Sequence, residues 1–412
     1  MTTGLDPSRP GDRLDGGLTD AELRRYGRHL TLPEVGEEGQ ERLKAARVLL
    51  VGAGGLGSPA ALYLAAAGVG TLGVADFDRV EESNLHRQVL YGEADLGRSK
   101  PEAAAERLAD LNPHVRTVLH PDRLGVENLL EVLAGYDLAV DGSDNFTTRY
   151  LVNDACVLAG KPDVWGAISR FEGQLSVFWA ERGPCYRCLF PEPPPAGTVL
   201  GCAEAGVLGV LPGIIGTLQA SEAIKLILGA GEPLVGRLVL FDALGASFRE
   251  VRIRKHPDCP ICSPRPRLTR LEEVGGGEVC APAREGMGGE EQAAARIASE
   301  GEITPAELAR RLGAGEEILL LDVRTPAERR IARIEGARHI PLHELPHRLG
   351  ELADPADLAD LDRREIVVHC HHGPRSAQAV ALLKAGGFGR VRNLAGGIDA
   401  WSQEVDASIP RY

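Results

Sequence analysis

RVLLVGAGGLGSPAALYLAAAGVGTLGVAD, residues 47–76, predicts a strand, a glycine-rich turn, a helix and a second strand. Its two apolar ends have the length of buried strands, and the small residues from Pro59 to Ala67 are typical of a packed helix. Such a βαβ unit belongs to a parallel sheet. DLAVD (137–141) repeats the strand pattern, and strands and helices alternate to about residue 255. The sequence therefore predicts an α/β fold with a Rossmann-like, mostly parallel sheet.

The glycine-rich turn of this unit is a candidate phosphate-binding loop. Glycines permit tight turning and let backbone N–H groups approach a phosphate at the N-terminus of the next helix. Asp76 closes the second strand, where a carboxylate can accept hydrogen bonds from ribose hydroxyls. An ordinary NAD site has the same features, so the turn alone leaves that alternative open. The glycines are Gly52, Gly54, Gly55 and Gly57.

The residues that follow the ribose acid favour a triphosphate. DFDRVEESNLHRQ (76–88) contains Arg87, and Lys100 follows in GRSK. Hydride transfer does not require this concentration of cations, whereas the charge on a leaving pyrophosphate must be neutralised. Two polar residues, Ser83 and Asn84, precede the arginine and complete the candidate nucleotide-binding set of this segment.

DGSDN (141–145) adds an acid at the end of another predicted strand. The carboxyl ends of parallel strands meet at one edge of a sheet, which is where such folds bind ligands. Oxygen ligands at this edge can hold the Mg²⁺ that bridges phosphates. Asp144 and Asn145 are therefore candidates for the metal side of the nucleotide site.

These motifs, in this order, resemble the ubiquitin-activating-like superfamily, and most closely its bacterial MoeB- and ThiF-type adenylyltransferases. The resemblance covers residues 19–262 and implies an ATP site in which Asp144 lies at the metal. It also implies that Arg28, in RYGRH, reaches the ATP site of a neighbouring subunit, and hence a homodimer. The positions that match the family's ATP site are Gly55, Asp76, Asn84, Arg87, Lys100 and Asp144.

Two CxxC pairs in the first domain predict a tetrahedral zinc site. Four cysteines in paired spacing are a typical ligand set for structural zinc. The pairs lie far apart in the sequence, so the metal would join the last segment of the domain to its middle. Redox dithiols and buried free cysteines are the alternatives, and the resembled family has the same pairs. The predicted ligands are Cys185, Cys188, Cys259 and Cys262.

Cys202 stands alone between a proline-rich stretch and an apolar helical run. A loop cysteine beside a helix start can have a lowered pKa and be reactive. A small buried filler is the alternative. By the resemblance, the matching family cysteine lies on a mobile loop and forms a thioester or a disulfide during transfer, which implies a catalytic role for Cys202.

The chain changes character after the first domain. Residues 263–302 are rich in Gly, Glu and Ala without periodicity and predict a linker, and the polar residues 1–18 predict a disordered N-terminus. ILLLDV (318–323) and EIVVHC (365–370) predict buried strands of a second, smaller α/β domain. That domain spans residues 303–412.

Cys370 ends one of these strands, and a helix is predicted to begin near Arg375. N–H groups and the dipole at a helix N-terminus favour a thiolate. Cysteine phosphatases use a loop one residue longer, and a tighter loop suits a single terminal sulfur. With LLLDVRTPAE, IEGARHIPL and NLAGGIDAW, the region resembles rhodanese domains. This resemblance implies a persulfide on Cys370, stabilised by loop amides and Arg375; an inactive domain used for docking is the alternative.

Together the two resemblances imply an enzyme similar to MoeZ-type adenylyltransferase/sulfurtransferases. ATP would convert the C-terminal carboxylate of a ubiquitin-like sulfur carrier ending in Gly-Gly into an acyl-adenylate, and the persulfide would attack it. Fusion raises the effective concentration of the persulfide. The implied cofactors are ATP, Mg²⁺ and Zn²⁺. The implied sulfur donor is a protein or compound such as a cysteine desulfurase or thiosulfate.

Several alternatives to this function stay open. The carrier could serve molybdopterin, thiamine, cysteine or tRNA thiolation. A dehydrogenase with an appended rhodanese domain would keep the glycines but release no pyrophosphate. A non-enzymatic scaffold that binds carrier proteins is disfavoured by the presence of Arg87, Lys100, Asp144 and Cys370.

Composition narrows the class of partners. The 412 residues, 43% hydrophobic and 25% charged, are typical of a globular protein with two or three domains. A net charge of −13 disfavours nucleic acids and anionic membranes as partners. No apolar run reaches the roughly 18 residues of a membrane helix, and the N-terminus lacks the apolar core of a signal peptide. We therefore expect a cytoplasmic enzyme.

Overall fold

The chain folds into two compact units, Met1–Ala281 and Pro282–Tyr412. Each unit has its own sheet and its own hydrophobic core. The border between the units lies inside the predicted linker, and the predicted domain bounds stay predictions. A computed structural model describes residues 17–194, 206–273, 301–352 and 364–411.

The described residues of the first unit form eight strands, nine α-helices and two short 3₁₀ helices. The strands are β1 Arg47–Val51, β2 Thr71–Ala75, β3 Arg116–His120, β4 Leu138–Asp141, β5 Asp163–Ser169, β6 Glu172–Phe178, β7 Arg237–Asp242 and β8 Ser247–Arg252. The helices are α1 Asp20–Arg25, α2 Gly27–Leu30, α3 Gly36–Ala45, α4 Gly57–Ala67, α5 Lys100–Leu111, α6 Leu129–Ala134, α7 Phe146–Ala159, α8 Tyr186–Leu189 and α9 Leu211–Leu228.

The sheet of the first unit has the order β3-β2-β1-β4-β5-β6-β7-β8. The first five strands are parallel, and β6, β7 and β8 continue the sheet in antiparallel pairing. This confirms the predicted Rossmann-like, mostly parallel sheet. The strand order reverses between β1 and β4, and in open α/β sheets ligands bind outside the carboxyl ends of the strands at such a point.

Strand β1 shows why its sequence is a continuous apolar run. Val48 and Leu50 pack in one core cluster with residues of α4 and α9. Leu49 and Val51 pack in another with residues of α6 and α7. Because successive side chains of a strand point to opposite faces, a sheet that is covered on both faces requires apolar residues at every position.

Helix α9 is the one helix in the described part of the chain that is long and apolar enough to cross a membrane. Its residues pack against α4, β5 and β6, and most of the helix is buried inside the unit. Core helices of this kind are apolar all round, so length and composition are weak evidence for a membrane span here.

The second unit is a smaller sheet with the order β11-β10-β12-β13-β9, all parallel in the described residues. Its central strand β12 ends directly before Cys370, so the predicted thiol lies at the carboxyl edge. The strands are β9 Glu302–Ile303, β10 Ile318–Asp322, β11 Arg338–His339, β12 Glu365–His369 and β13 Val391–Leu394. The helices are α10 Pro305–Gly313, α11 Pro326–Ile331, α12 Leu345–Arg348, α13 Pro374–Ala385 and α14 Gly397–Glu404.

Candidate active sites and metal site

The glycine-rich turn between β1 and α4 folds back on itself. Gly52 has a φ of +88°, and a Cβ on Gly57 would lie 1.9 Å from the carbonyl oxygen of Gly52. A Cβ on Gly52 would lie 3.2 Å from the carbonyl oxygen of Gly142, directly after β4. The turn, which also contains Gly54 and Gly55, is therefore glycine-dependent and lies at the point where the strand order reverses.

Asp76 supports this turn, as its position after β2 predicts. Its carboxylate accepts hydrogen bonds from the N–H of Ala53 (2.8 Å) and of Asp78 (2.9 Å). Burial raises the pKa of Asp76, and the charge of Lys100 opposes that effect. The carboxylate that is predicted to bind a ribose thus also holds the backbone of the glycine turn.

Lys100 is buried at the start of α5. Its Nζ lies 2.9 Å from Oδ2 of Asp78, an exposed acid that our sequence reasoning did not single out. The sequence feature that could have predicted this ion pair is the second acid of the DFD motif. A phosphate that reaches Lys100 therefore meets a lysine whose charge is already partly balanced.

The guanidinium of Arg87 donates to the carbonyl oxygen of Ser83 (2.7 Å). The same Nη1 lies 2.9 Å from Nε2 of His86. Asn84 is buried and donates to Oγ of Ser83 (3.2 Å). The three predicted residues of this segment thus form one local hydrogen-bonded group.

The segment after β4 contains one exposed and one buried acid. Asp144 is exposed, and the adjacent Asn145 caps α7 by accepting from the N–H of Thr148 (2.9 Å). Asp141 is fully buried, accepts from the N–H of Ser143 (2.9 Å), and has its pKa raised by burial. Of these residues, Asp144 is the one whose carboxylate is accessible to a metal ion.

Two predicted catalytic residues of the first unit are not tested by these contacts. Arg28 is exposed on α2, and its predicted reach into a second subunit stays a prediction. Cys202 lies outside the described residues. The structure thus brings together the glycine turn, Asp76, Lys100 and the segment after β4, and leaves the other two roles as predictions.

The four predicted zinc ligands form one cluster. Their sulfur atoms all lie within 4.8 Å of one another, with individual S···S distances of 3.3, 3.5 and 3.9 Å. A tetrahedral zinc ion with Zn–S bonds of about 2.3 Å separates its sulfurs by about 3.8 Å. The cluster joins the N-terminus of α8 to the segment after β8, as the spacing predicts. Its members are Cys185, Cys188, Cys259 and Cys262.

In the second unit, hydrogen-bond donors surround the sulfur of Cys370. The thiol is fully buried. The N–H of Gly373 points to Sγ at 3.1 Å, and the hydroxyl of Ser376 lies 3.4 Å from it. Because α13 begins at Pro374, the sulfur also lies at a helix N-terminus, which stabilises negative charge.

Helix α14 fixes the orientation of this loop. The N–H groups of Ile398 and Asp399 bind the carbonyl oxygens of Cys370 (3.0 Å) and His371 (3.1 Å). A Cβ on Gly397 would lie 2.3 Å from the carbonyl oxygen of His371. The first turn of α14 therefore binds the loop's carbonyl groups while the N–H of Gly373 points to the sulfur.

Arg375, predicted to stabilise the sulfur, forms a bidentate ion pair with Glu328 at 2.6 and 2.9 Å. Glu328 also caps α11 through Thr325. Burial would raise the pKa of Glu328, but hydrogen bonds from Arg375 and Thr325 lower it to about 2. Sequence reasoning missed this acid, and its signal is the capping box within RTPAE.

Fold and sites define a Rossmann-like nucleotide-binding unit followed by a thiol-centred unit in one chain. A model described as the ThiF family matches residues 26–261, and one described as a rhodanese-like domain matches residues 304–404. Since the first match covers more than half of the chain, the protein belongs to the ThiF family, with a C-terminal rhodanese-like domain.

The chain is 47% identical to the probable adenylyltransferase/sulfurtransferase MoeZ of Mycobacterium tuberculosis, over 96% of each chain. It is 42% identical to the adenylyltransferase and sulfurtransferase MOCS3 of Mus musculus, over 96% of this chain and 88% of that one. The sulfur carrier protein adenylyltransferase of Thermus thermophilus is 60% identical over 61% of this chain and 95% of its own. The protein is therefore an adenylyltransferase and sulfurtransferase.

Among solved structures, E. coli MccB matches with a TM-score of 0.52 and 22% identity, over 59% of this chain and 73% of that one. The matched share of the chain is shorter than the first unit. At that level of identity the match supports the fold alone.

Glu328→Gln should destabilise the second unit by about 2–3 kcal/mol at pH 7, because it leaves the buried guanidinium of Arg375 without its carboxylate. Since the pKa of Glu328 falls from an ordinary 4.5 to about 2 on folding, this stabilisation is fully present above pH 4.5. It is lost as the pH falls toward 2. Urea unfolding of the full chain, followed by pulse-labelling mass spectrometry at β10 and β12 peptides, measures the difference.

The matched control is Glu335→Gln, which removes an exposed ion pair with Arg333. It should leave the unfolding of the second unit nearly unchanged at every pH. Equal effects of the two substitutions, or a Glu328 effect that does not depend on pH, would contradict the role given to this ion pair.

Proposed function

We propose that this enzyme adenylates the C-terminal glycine of a ubiquitin-like sulfur carrier protein and converts it into a thiocarboxylate. The sulfur is carried as a persulfide on Cys370. The observation that carries the proposal is the buried Cys370 sulfur with an N–H and a hydroxyl directed at it. The names of the relatives, which combine adenylyltransferase with sulfurtransferase, support the same pairing of activities.

The adenylation half takes place where the strand order reverses. The carrier's carboxylate attacks the α-phosphate of ATP, an acyl-adenylate forms and pyrophosphate leaves. The glycine turn provides backbone N–H groups for phosphates, and Arg87 and Lys100 provide positive charge. Mg²⁺, held at Asp144, would neutralise phosphate charge. The remaining proposed contacts to the nucleotide are made by Asp76, Ser83, Asn84 and Asn145.

The sulfur-transfer half uses the thiol of the second unit. The terminal sulfur of the Cys370 persulfide attacks the acyl carbon, and AMP leaves with the electron pair of the C–O bond. The carrier is then joined to Cys370 through an acyl-disulfide. A thiol attacks Sγ of Cys370, the acyl-disulfide bond breaks, and the carrier thiocarboxylate is released. A disulfide between Cys370 and the attacking thiol remains on the enzyme.

Cys202 has two possible roles in these steps, and both stay predictions. It either supplies the thiol that resolves the acyl-disulfide or forms a transient thioester with the carrier.

We further propose a homodimer in which Arg28 reaches the ATP site of the second subunit. A cysteine desulfurase or thiosulfate supplies the sulfur, and the reaction takes place in the cytoplasm. The carrier's pathway is molybdopterin synthesis or one of the related thiolations.

Asp144→Ala should lower carrier-dependent ATP–pyrophosphate exchange by about 10²–10³-fold, because the metal loses a charged ligand. Sulfurtransferase activity toward a small donor should persist. Asp122→Ala, at an exposed acid just beyond β3 on the same sheet edge, is the control and should exchange normally. Full exchange by purified Asp144→Ala protein would refute the assignment.

The cysteine cluster should bind one Zn²⁺ per chain. Cys188→Ser should lower the zinc content and the stability of the first unit, since metal binding is linked to folding. Cys280→Ser, at a cysteine that belongs to neither CxxC pair, should keep both. Elemental analysis and thermal unfolding measure these quantities, and freshly purified, reduced protein without zinc would rule out the site.

Variants of the two candidate reactive cysteines should have different defects in activity assays. Cys370→Ala should adenylate the carrier normally and form no thiocarboxylate from a persulfide donor. Cys202→Ala should also adenylate, and an intermediate should accumulate when no reductant is present. Dithiothreitol should hide this defect if a free thiol can resolve the intermediate.

Non-reducing mass spectrometry of the carrier and the enzyme, with and without reductant, distinguishes these outcomes. Normal thiocarboxylate formation by Cys370→Ala, with a persulfide donor and no free sulfide, would leave the second unit as a docking module.

A further inference from the structure

Two histidines follow Cys370 in the loop. His371 is buried, whereas His372 keeps 34% of its side chain exposed. Their rings stack with centroids 3.9 Å apart. His372 is therefore a partly exposed imidazole held against a buried one, two residues from the candidate sulfur carrier.

Asp399 lies next to this imidazole. Its Oδ2 lies 3.9 Å from Nδ1 of His372. The carboxylate accepts hydrogen bonds from Arg411 (2.8 Å) and Gln403 (2.6 Å), and the backbone N–H of Asp399 binds the His371 carbonyl. The aspartate is thus fixed to the loop itself, and its contact with His372 is made to Nδ1.

The ionisable groups around His372 are either buried and neutral or held in ion pairs. Burial, followed by the charge of His372, lowers the pKa of His371 to about 4, so His371 is neutral at neutral pH. Asp399 is paired with Arg411, and Glu328 is paired with Arg375. Histidine is the side chain that most readily gives and takes protons near neutral pH.

Loading of Cys370 creates a demand for a proton. The Cys370 thiolate attacks the outer sulfur of a donor persulfide, a new S–S bond forms and the donor's S–S bond breaks. The electron pair leaves on the donor's inner sulfur as a thiolate. A thiolate of high basicity leaves slowly unless it is protonated, whereas a weakly basic leaving group needs no such help.

We propose that His372 is the general acid that protonates the thiolate departing from the sulfur donor, with Asp399 as its positioning residue. The proton moves from Nε2 of the imidazolium to the donor's sulfur, and neutral His372 is reprotonated from solvent. This inference rests on the proposed persulfide on Cys370. It makes the loop selective for persulfides of ordinary thiols, the chemistry that a protein cysteine persulfide presents.

The test compares two donors with the full-length protein. Glutathione persulfide releases a basic thiolate, and benzenethiosulfonate releases a weakly basic sulfinate. The rate of Cys370 persulfide formation is followed by mass spectrometry. His372→Gln should slow loading from glutathione persulfide by about 10²-fold and change loading from benzenethiosulfonate by less than about twofold.

The ratio of the two rates separates general-acid catalysis from a structural role. Both donors react with the same Cys370 sulfur, so dividing the wild-type ratio by the His372→Gln ratio isolates the contribution of His372. This quotient should fall as the pH rises, and Asp399→Asn should shift the profile. His343→Gln is the matched control, since His343 has its own carboxylate, Glu344, at 3.7 Å; it should behave as wild type with both donors.

Equal losses with both donors would show that His372 only packs the loop, and no loss with either would remove it from the reaction. In both cases the wild type would still load Cys370, so the proposed function would stand. A wild-type protein that loads Cys370 from neither donor would instead contradict the proposed function itself.

Discussion

The turn from a buried parallel strand into a helix is the constraint on which both units depend. In such a turn the backbone leaves the sheet with its N–H groups exposed to whatever lies at the helix N-terminus. In the first unit Gly52 and Gly57 make the turn possible, since a Cβ on Gly57 would lie 1.9 Å from a backbone oxygen. In the second unit the same geometry directs the N–H of Gly373 to the sulfur of Cys370. The same kind of strand-to-helix turn thus lies at both candidate sites, and in the proposed function it serves a phosphate in one unit and a sulfur anion in the other.

Ion pairs partly neutralise the cationic side chains next to these turns. Lys100 is paired with Asp78, and Arg375 is paired with Glu328. Burying a cation without a partner is costly, so each pair stabilises its unit before any ligand arrives. In the rhodanese-like unit the Gly373 N–H and the Ser376 hydroxyl are directed at the Cys370 sulfur, and the ion pair of Arg375 connects the loop to α11.

Local patterns in the sequence predicted most of this architecture. The apolar run of β1 was expected at 47–51 and lies there, because a strand covered on both faces leaves a continuous signature. The CxxC pairs predicted a cluster that folding alone brings together across many residues. The sequence does not predict Glu328 as the partner of Arg375, since the two residues are 47 positions apart. The capping box of α11 is sufficient to explain an acid at this position. Pairing across a fold depends on tertiary contacts that no local spacing encodes.

The central claim is that one chain both activates the carrier and supplies its sulfur. The direct measurement is a single turnover with the full chain loaded with isotopically labelled sulfur on Cys370 and freed of small donors. ATP and a Gly-Gly carrier are then added, and the carrier's C-terminus is analysed by mass spectrometry. The account predicts labelled thiocarboxylate in amounts equal to the loaded persulfide, and only when ATP is present. Label that stays on the enzyme, or that reaches the carrier without ATP, would contradict it.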